Sequence, residues 1–438
     1  MSETPSADRS GGRPHSRAAV VEREDKVNSM GQLTRTRLIL ISAAAAAVAL
    51  VVGGIALIPS SGEKGDKKVH PVEAEAGQRL QMPLHADGSK ILDARGEEVT
   101  FTGVNWFGLE TNTFAPHGLW SRKLDDMLDQ MVGAGFNTMR LPFSNELFDG
   151  SAKVNGVDFK LNPDLEGLTG PQIMDKVVEG ATKRGMMVIL DRHRPTSQGQ
   201  SNLWYTDKVS EERWIGDWVK LAKQYKNNPL VVGADLHNEP HGEATWGDGS
   251  EKTDWKAAAE RAGNAILKEN PDWLIIVEGI ETYNGNGYWW GGNLQGAAEH
   301  PVKLSDQSKL VYSAHDYSPK VWSQQWFNDP SFPANMPALW DKQFGYLVKQ
   351  NVAPVLLGEF GGRSVGEKDA QGNKDLEGIW QRSLLAYLKE NGFSYTYWSW
   401  NPNSGDTGGV LNDDWTTLNE DKVALLKSYQ APLASAQK

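Results

Sequence analysis

Two glutamates in this chain each follow an apolar run and sit beside residues that fix a turn. Glu239 ends the segment Asp235-Leu-His-Asn-Glu-Pro240, and Glu359 lies in Leu356-Leu-Gly-Glu-Phe-Gly-Gly362. Hydrolysis of a glycosidic bond needs such a pair: one acid protonates the leaving oxygen, and one carboxylate meets the oxocarbenium-like carbon. Other polar and aromatic residues close similar runs: Asn105-Trp106, Arg140, Asp191-Arg192-His193, His237-Asn238, Glu278, His315-Asp316-Tyr317 and Trp398. Two histidines among carboxylates could also suggest a metal hydrolase. No His-Glu-x-x-His pair exists, however, and His193 and His315 follow different runs without ligand-type spacing, so no metal is expected. No glycine-rich phosphate loop follows the first run, which argues against nucleotide chemistry. His237 lies within the fourth run and reads as a wall residue.

The elements that must position these residues are legible as an alternation. Strand-like runs occupy Val99–Asn105, Phe136–Pro142, Gly185–His193, Leu230–Glu239, Leu274–Glu278, Leu310–His315, Pro354–Glu359 and Tyr395–Trp400. Helix-like segments fall between them at Leu119–Ala134, Pro171–Arg184, Ser210–Lys226, Asp254–Glu269, Ala338–Gln350 and Gly378–Asn391. Strands alternating with helices imply parallel pairing, and eight such units imply a closed (β/α)8 TIM barrel. All strand C-termini of a parallel barrel share one rim, so residues scattered along the sequence converge there. The fourth and seventh strands face each other across a small barrel, which lets Glu239 and Glu359 flank one bond.

Composition narrows the partners. The chain has 438 residues and a net charge of -11, so nucleic acid and anionic lipid are unfavourable partners and an uncharged substrate is favoured. It has no cysteine, which excludes disulfides, thiolate metal sites and cysteine nucleophiles. Seventeen tryptophans are an excess. Core packing accounts for most, but Trp289-Trp290 and Trp398-Ser399-Trp400 lie in Gly- and Asn-rich, loop-like sequence, where flat rings suit the apolar faces of sugars.

The N-terminal region reads as an export apparatus. Residues 1–37 are polar and without apolar period, as expected of a disordered cytoplasmic tail. Residues 38–58 form a run about 30 Å long as a helix, enough to span a bilayer. Arg35 and Arg37 precede it and place the N-terminus in the cytoplasm. The run is either a retained signal anchor or the core of a cleaved signal peptide, and Met30 is an alternative start. Residues 59–78 read as a linker, and 79–432 as one catalytic domain held outside the cell. A membrane would be engaged only through the N-terminal helix, and the domain is expected to be monomeric.

The segments Leu-His-Asn-Glu-Pro (236–240), Gly-Glu-Phe-Gly (358–361), Arg140-Leu-Pro, Asp191-Arg-His-Arg-Pro195 and His315-Asp-Tyr317 resemble glycoside hydrolase family 5, the cellulase family. The likeness covers about 80–420 and is greatest to the bacterial endo-β-1,4-glucanase branch. Its marks are Asn105-Trp-Phe-Gly-Leu-Glu-Thr111, Tyr283-Asn-Gly-Asn-Gly-Tyr-Trp-Trp-Gly-Gly-Asn293 and Trp398-Ser-Trp-Asn-Pro-Asn-Ser-Gly-Asp-Thr-Gly-Gly409. The resemblance implies a retaining enzyme that acts on a β-glucan without a cofactor. Glu239 would be acid/base and Glu359 nucleophile. Asn238 would bind the sugar 2-hydroxyl. Arg140 and Tyr317 would donate to Glu359, His193 and His315 would orient hydroxyls and Glu239, and Trp398 would floor the reacting subsite. Trp106, Trp290 and Trp204 are candidates for neighbouring subsites, with core packing the alternative for each. As acid, Glu239 is expected to carry a pKa raised by burial and by the charge of Glu359. A mannanase or other β-glycan hydrolase, or a non-catalytic carbohydrate-binding protein, are the competing readings.

Overall fold

The computed structural model describes residues 78–436. Eight parallel strands close a barrel in chain order: β1 (Thr102–Asn105), β2 (Thr138–Ser144), β3 (Met187–Arg194), β4 (Val231–Asp235), β5 (Leu274–Glu278), β6 (Leu310–His315), β7 (Val355–Glu359) and β8 (Ser394–Tyr397), with β8 pairing back to β1. Almost every barrel-strand residue is buried, because helices cover one face and the barrel interior the other. Alternate residues serve the two sides. Ile189, Ile276, Val311 and Leu356 belong to a compact inner cluster, whereas Val188, Leu190, Ile275 and Val277 join the larger core that includes the helices.

The helices begin where the local chemistry allows. Gly170–Lys183 starts on a Thr169/Gln172 capping box. Glu211–Gln224 is capped by Ser210 and Trp255–Glu269 by Asp254, each side chain accepting from a first-turn backbone amide. Leu376–Asn391 begins at Asp375 and stops at Gly392, whose φ of 72° is the left-handed conformation that suits a helix end. The expected helix near 338–350 is interrupted by a π segment, Asp341–Gly345. A last helix, Glu420–Lys427, has no counterpart among the expected segments.

Between β5 and β6 the described chain forms loops and a two-residue ribbon, Thr282–Tyr283 with Asn286–Gly287, in place of a helix. The opposite end of the domain is closed by a parallel pair, Gln78–Leu80 with Ala434–Ala436, which carries the folded region slightly past residue 432. The segment 38–58, expected to be an export helix, lies outside the described residues, as do the expected tail and nearly all of the linker. Among the described residues no helix is long and apolar enough to cross a membrane.

Candidate active site

The C-terminal ends of the strands bring the expected residues together around one buried cation. Arg140 on β2 is fully enclosed. Its Nη1 donates to Glu359 Oε1 at 2.7 Å and to Asn105 Oδ1 at 3.0 Å. Its Nε donates to Asp235 at 2.8 Å, and its Nη2 to Asn238 Oδ1 at 2.9 Å and Glu278 at 3.1 Å. Asp191 completes the ring at 3.1 Å. Four carboxylates around one guanidinium in a dry site cannot all ionise freely. Burial pushes Asp191 and Asp235 up to about 6 and Glu278 up to about 7, against the pull of Arg140 and His315.

The two candidate carboxyls face each other over this base. Glu239, His315 and Glu359 each present a ligand atom within 4.8 Å of the others. Such a cluster could attract a cation, but Arg140 already occupies Glu359 at 2.7 Å and would repel a second one. Tyr317 donates to Glu359 Oε2 at 2.5 Å. His315 Nδ1 lies 3.1 Å from Glu239 Oε1 and 3.7 Å from Glu359 Oε2.

Glu239 is not part of a strand. The fourth run was expected to stay extended to Glu239, but β4 ends at Asp235. The chain then turns so that His237 packs against Trp255 and Arg192, and Glu239 enters the left-handed region at φ 53°. A non-glycine residue is rarely held there without outside support. Here the Glu239 amide donates to Glu278 Oε2 at 2.8 Å.

The direction of the Glu239 titration differs from expectation. Burial raises it, but the hydrogen bond and charge of His315 more than offset burial and hold Glu239 below its ordinary value. For His315, burial works against the charged ring, yet Glu278, Glu359 and Glu239 together raise it well above the usual imidazole range. Both directions favour a carboxylate on Glu239 facing an imidazolium on His315. Burial pushes Glu359 up, with His315 and Arg140 opposing.

The remaining candidates divide by burial. Desolvation holds His193 neutral, with a pKa down to about 3, and its Nδ1 lies 2.6 Å from Asp191. Donation from Nδ1 leaves Nε2 free to accept a hydroxyl. Trp398 stacks with His193 and with Phe107 at 5.3 Å in each case, at interplanar angles of 8° and 9°. Asn238 Nδ2 is buried and has no hydrogen-bond partner among the described residues. A cleft of about 680 Å³ contains Glu239, Glu359, Tyr317, His193 and Trp398, with Trp289, Trp290 and Trp322 along it. Trp290 is 45% exposed and lies flat on His241 at 3.8 Å.

Two aromatic candidates are not in the cleft. Trp106 is completely buried, its Nε1 donating to the His117 carbonyl, and Trp204 is completely buried with its Nε1 on Glu211. Both are core residues whose ring nitrogens are satisfied internally. Sequence reasoning had no role for Trp322, which is 68% exposed in the cleft and follows Tyr317 in an irregular loop without periodicity. Glu278 was legible only as a strand end.

Residues 92–404 match the family model described as cellulase (glycosyl hydrolase family 5). An endoglucanase from Paenibacillus polymyxa is 56% identical over 371 residues, 83% of this chain and 91% of that protein. The major extracellular endoglucanase of Xanthomonas campestris pv. campestris is 47% identical, over 77% of this chain and 69% of that protein. Its catalytic domain superposes with a TM-score of 0.74 and 46% identity, covering 78% of this chain and 99% of the domain. A cellotetraose complex of an endocellulase from Pyrococcus horikoshii gives a TM-score of 0.73 at 42% identity, over 80% of this chain and 99% of that one.

Proposed function

This chain belongs to glycosyl hydrolase family 5, the cellulase family, and from that premise we propose that it is a retaining, endo-acting β-1,4-glucanase with Glu239 as acid/base and Glu359 as nucleophile. The observation that carries the reading is the separation of the two carboxyls. Retaining enzymes need about 5–5.5 Å between them, whereas inverting enzymes need about 6.5–9.5 Å to admit a water. Oxygens of Glu239 and Glu359 lie within 4.8 Å.

In the first half-reaction Glu359 attacks the anomeric carbon while the glycosidic oxygen takes a proton from Glu239, breaking the carbon–oxygen bond and releasing one chain as an alcohol. The proton comes from the Glu239–His315 pair. As sugar displaces water from the cleft, the charge-separated form of the pair becomes costlier and the proton moves to Glu239. In the second half-reaction Glu239, now a carboxylate, accepts a proton from water as the oxygen attacks the same carbon and Glu359 departs. Asn238 Nδ2 donates to the 2-hydroxyl, and Trp398 supports the sugar ring. Trp290 and Trp322 offer stacking surfaces along the chain direction. No step uses a cofactor.

The paired carboxyls and their full set of partners argue against a non-catalytic carbohydrate binder. A mannanase on the same barrel differs in sugar geometry at the reacting subsite. Hydrolysis of carboxymethyl-cellulose with mid-chain cuts, and little activity on galactomannan, is the expected result. The reverse preference would reassign the substrate.

The catalytic domain works outside the cell, exported by residues 38–58 as signal or anchor. The support is the hydrophobicity of that segment and the extracellular relative from Xanthomonas campestris.

A further inference from the structure

Glu278, at the end of β5, has no role in the two half-reactions described above, yet it is completely buried at the centre of the site. Its Oε2 accepts from the Glu239 backbone amide at 2.8 Å. Its Oε1 accepts from Arg140 Nη2 at 3.1 Å and lies 3.3 Å from His315 Nε2, the ring nitrogen that faces away from Glu239. That 3.3 Å approach is a charge contact and not an aligned hydrogen bond, and no hydrogen-bond partner meets the buried nitrogen among the described residues. The surrounding backbone is shaped to the carboxylate: a Cβ on Gly291 would come within 2.3 Å of Glu278 Oε2 and 3.1 Å of Glu239 Cα. The left-handed turn at Glu239 and the imidazole beside its side chain therefore share one anchor.

We propose that Glu278 is the positioning residue of the acid/base: one oxygen holds the backbone of Glu239 in its turn, and the other keeps the His315 ring doubly protonated and aimed at Glu239. The inference rests on the assignment of Glu239 as acid/base. The charged groups facing Glu278 are Arg140 from β2, Asp235 from β4, Glu239 from the turn after it and His315 from β6. Asp191 and Glu359 reach it through Arg140. Burial, which sets Glu278 at about 7, leaves it ionised at the higher pH where the His315–Glu239 pair would lose its proton. There its charge retains that proton.

The test is Glu278→Gln, which keeps the shape and one acceptor but removes the charge. The basic limb of kcat/KM on cello-oligosaccharides should move down by about one pH unit or more, as expected for loss of an anion at contact distance, with thermal unfolding little changed. Glu278→Asp, which keeps the charge, should lower kcat but leave the basic limb near its native position. A folded Glu278→Gln protein with an unmoved basic limb overturns the proposal, because a merely structural role would reduce rate at all pH values alike. Should Glu278→Gln fail to fold, 15N NMR of the histidine rings in the native protein decides. The His315 resonance, assigned by its loss in His315→Asn, should report a doubly protonated ring at pH 7.5, and a neutral ring overturns the inference. Azide rescue of Glu239→Gln on an aryl glycoside tests the acid/base assignment separately, so a failure of that assignment is distinguishable from a failure of the role of Glu278.

Discussion

Replacing Tyr317 by phenylalanine removes one oxygen and little else, and its effect can be worked from the geometry. Glu359 accepts from two donors, Arg140 at 2.7 Å and Tyr317 at 2.5 Å, while His315 is 3.7 Å away. A hydrogen bond to an ionised group is worth about 1.5–3 kcal/mol, and about 1.36 kcal/mol corresponds to one pKa unit. Losing the hydroxyl should therefore raise the pKa of Glu359 by about 1–2 units. Burial already holds that carboxyl above its ordinary value. A protonated nucleophile cannot attack, so activity disappears as pH falls through this pKa, and the substitution should move the acid limb of kcat/KM upward by the same amount. An aryl cellobioside with a good leaving group isolates the effect, because its departure needs no proton from Glu239. An acid limb that stays in place in a folded Tyr317→Phe protein would show either that Tyr317 does not stabilise the ionised carboxylate or that another group controls that limb.

Glu239→Gln should slow natural cellodextrins by several orders of magnitude but spare the first step with activated aryl leaving groups, so that azide restores turnover and yields a glycosyl azide; equal loss on both substrates without azide product refutes the role. Trp290→Ala should raise KM for cello-oligosaccharides by roughly 2- to 10-fold at nearly constant kcat, the size expected of one aromatic contact, because the ring is half exposed over His241. Trp106→Ala should instead cost about 3–5 kcal/mol of stability, measured by denaturant unfolding, since it empties a packed site. A chain beginning at residue 78, which keeps the Gln78–Leu80 strand paired with Ala434–Ala436, should be soluble and as active on carboxymethyl-cellulose as the full chain.

The barrel was legible in the sequence because the middle strands, such as Leu274–Glu278 and Val355–Glu359, are buried on both faces and appear as apolar runs, while Thr102–Asn105 and Ser394–Tyr397 are more polar. Each such run ends where the rim begins, which is how Arg140, His193, His315 and Glu359 could be placed at one end. The fourth run misled at its end: Leu236 and His237 are apolar or buried, so they extended the run, but they belong to the turn that throws Glu239 into left-handed backbone. The aromatic subsites were least legible. Trp106, Trp204 and Trp290 are the same residue type in similar glycine- and asparagine-rich surroundings. Only their burial in the folded chain separates the two core residues from the exposed one. The charge state of the Glu239–His315 pair was also out of reach, since it depends on Glu278, whose strand adjoins β4 and β6 in space but which is remote from both partners in sequence.

Glu359 is expected to bond covalently to the sugar while Glu239 moves the proton. Incubation with a 2-deoxy-2-fluoro aryl cellobioside, whose intermediate is slow to hydrolyse, followed by proteolysis and mass spectrometry, tests it directly. One added fluorocellobiosyl group is expected on the peptide that contains Gly358-Glu359-Phe360, released when an acceptor sugar is added. A label on Glu239 or on another residue, or an inactivated enzyme carrying no covalent sugar, would contradict it.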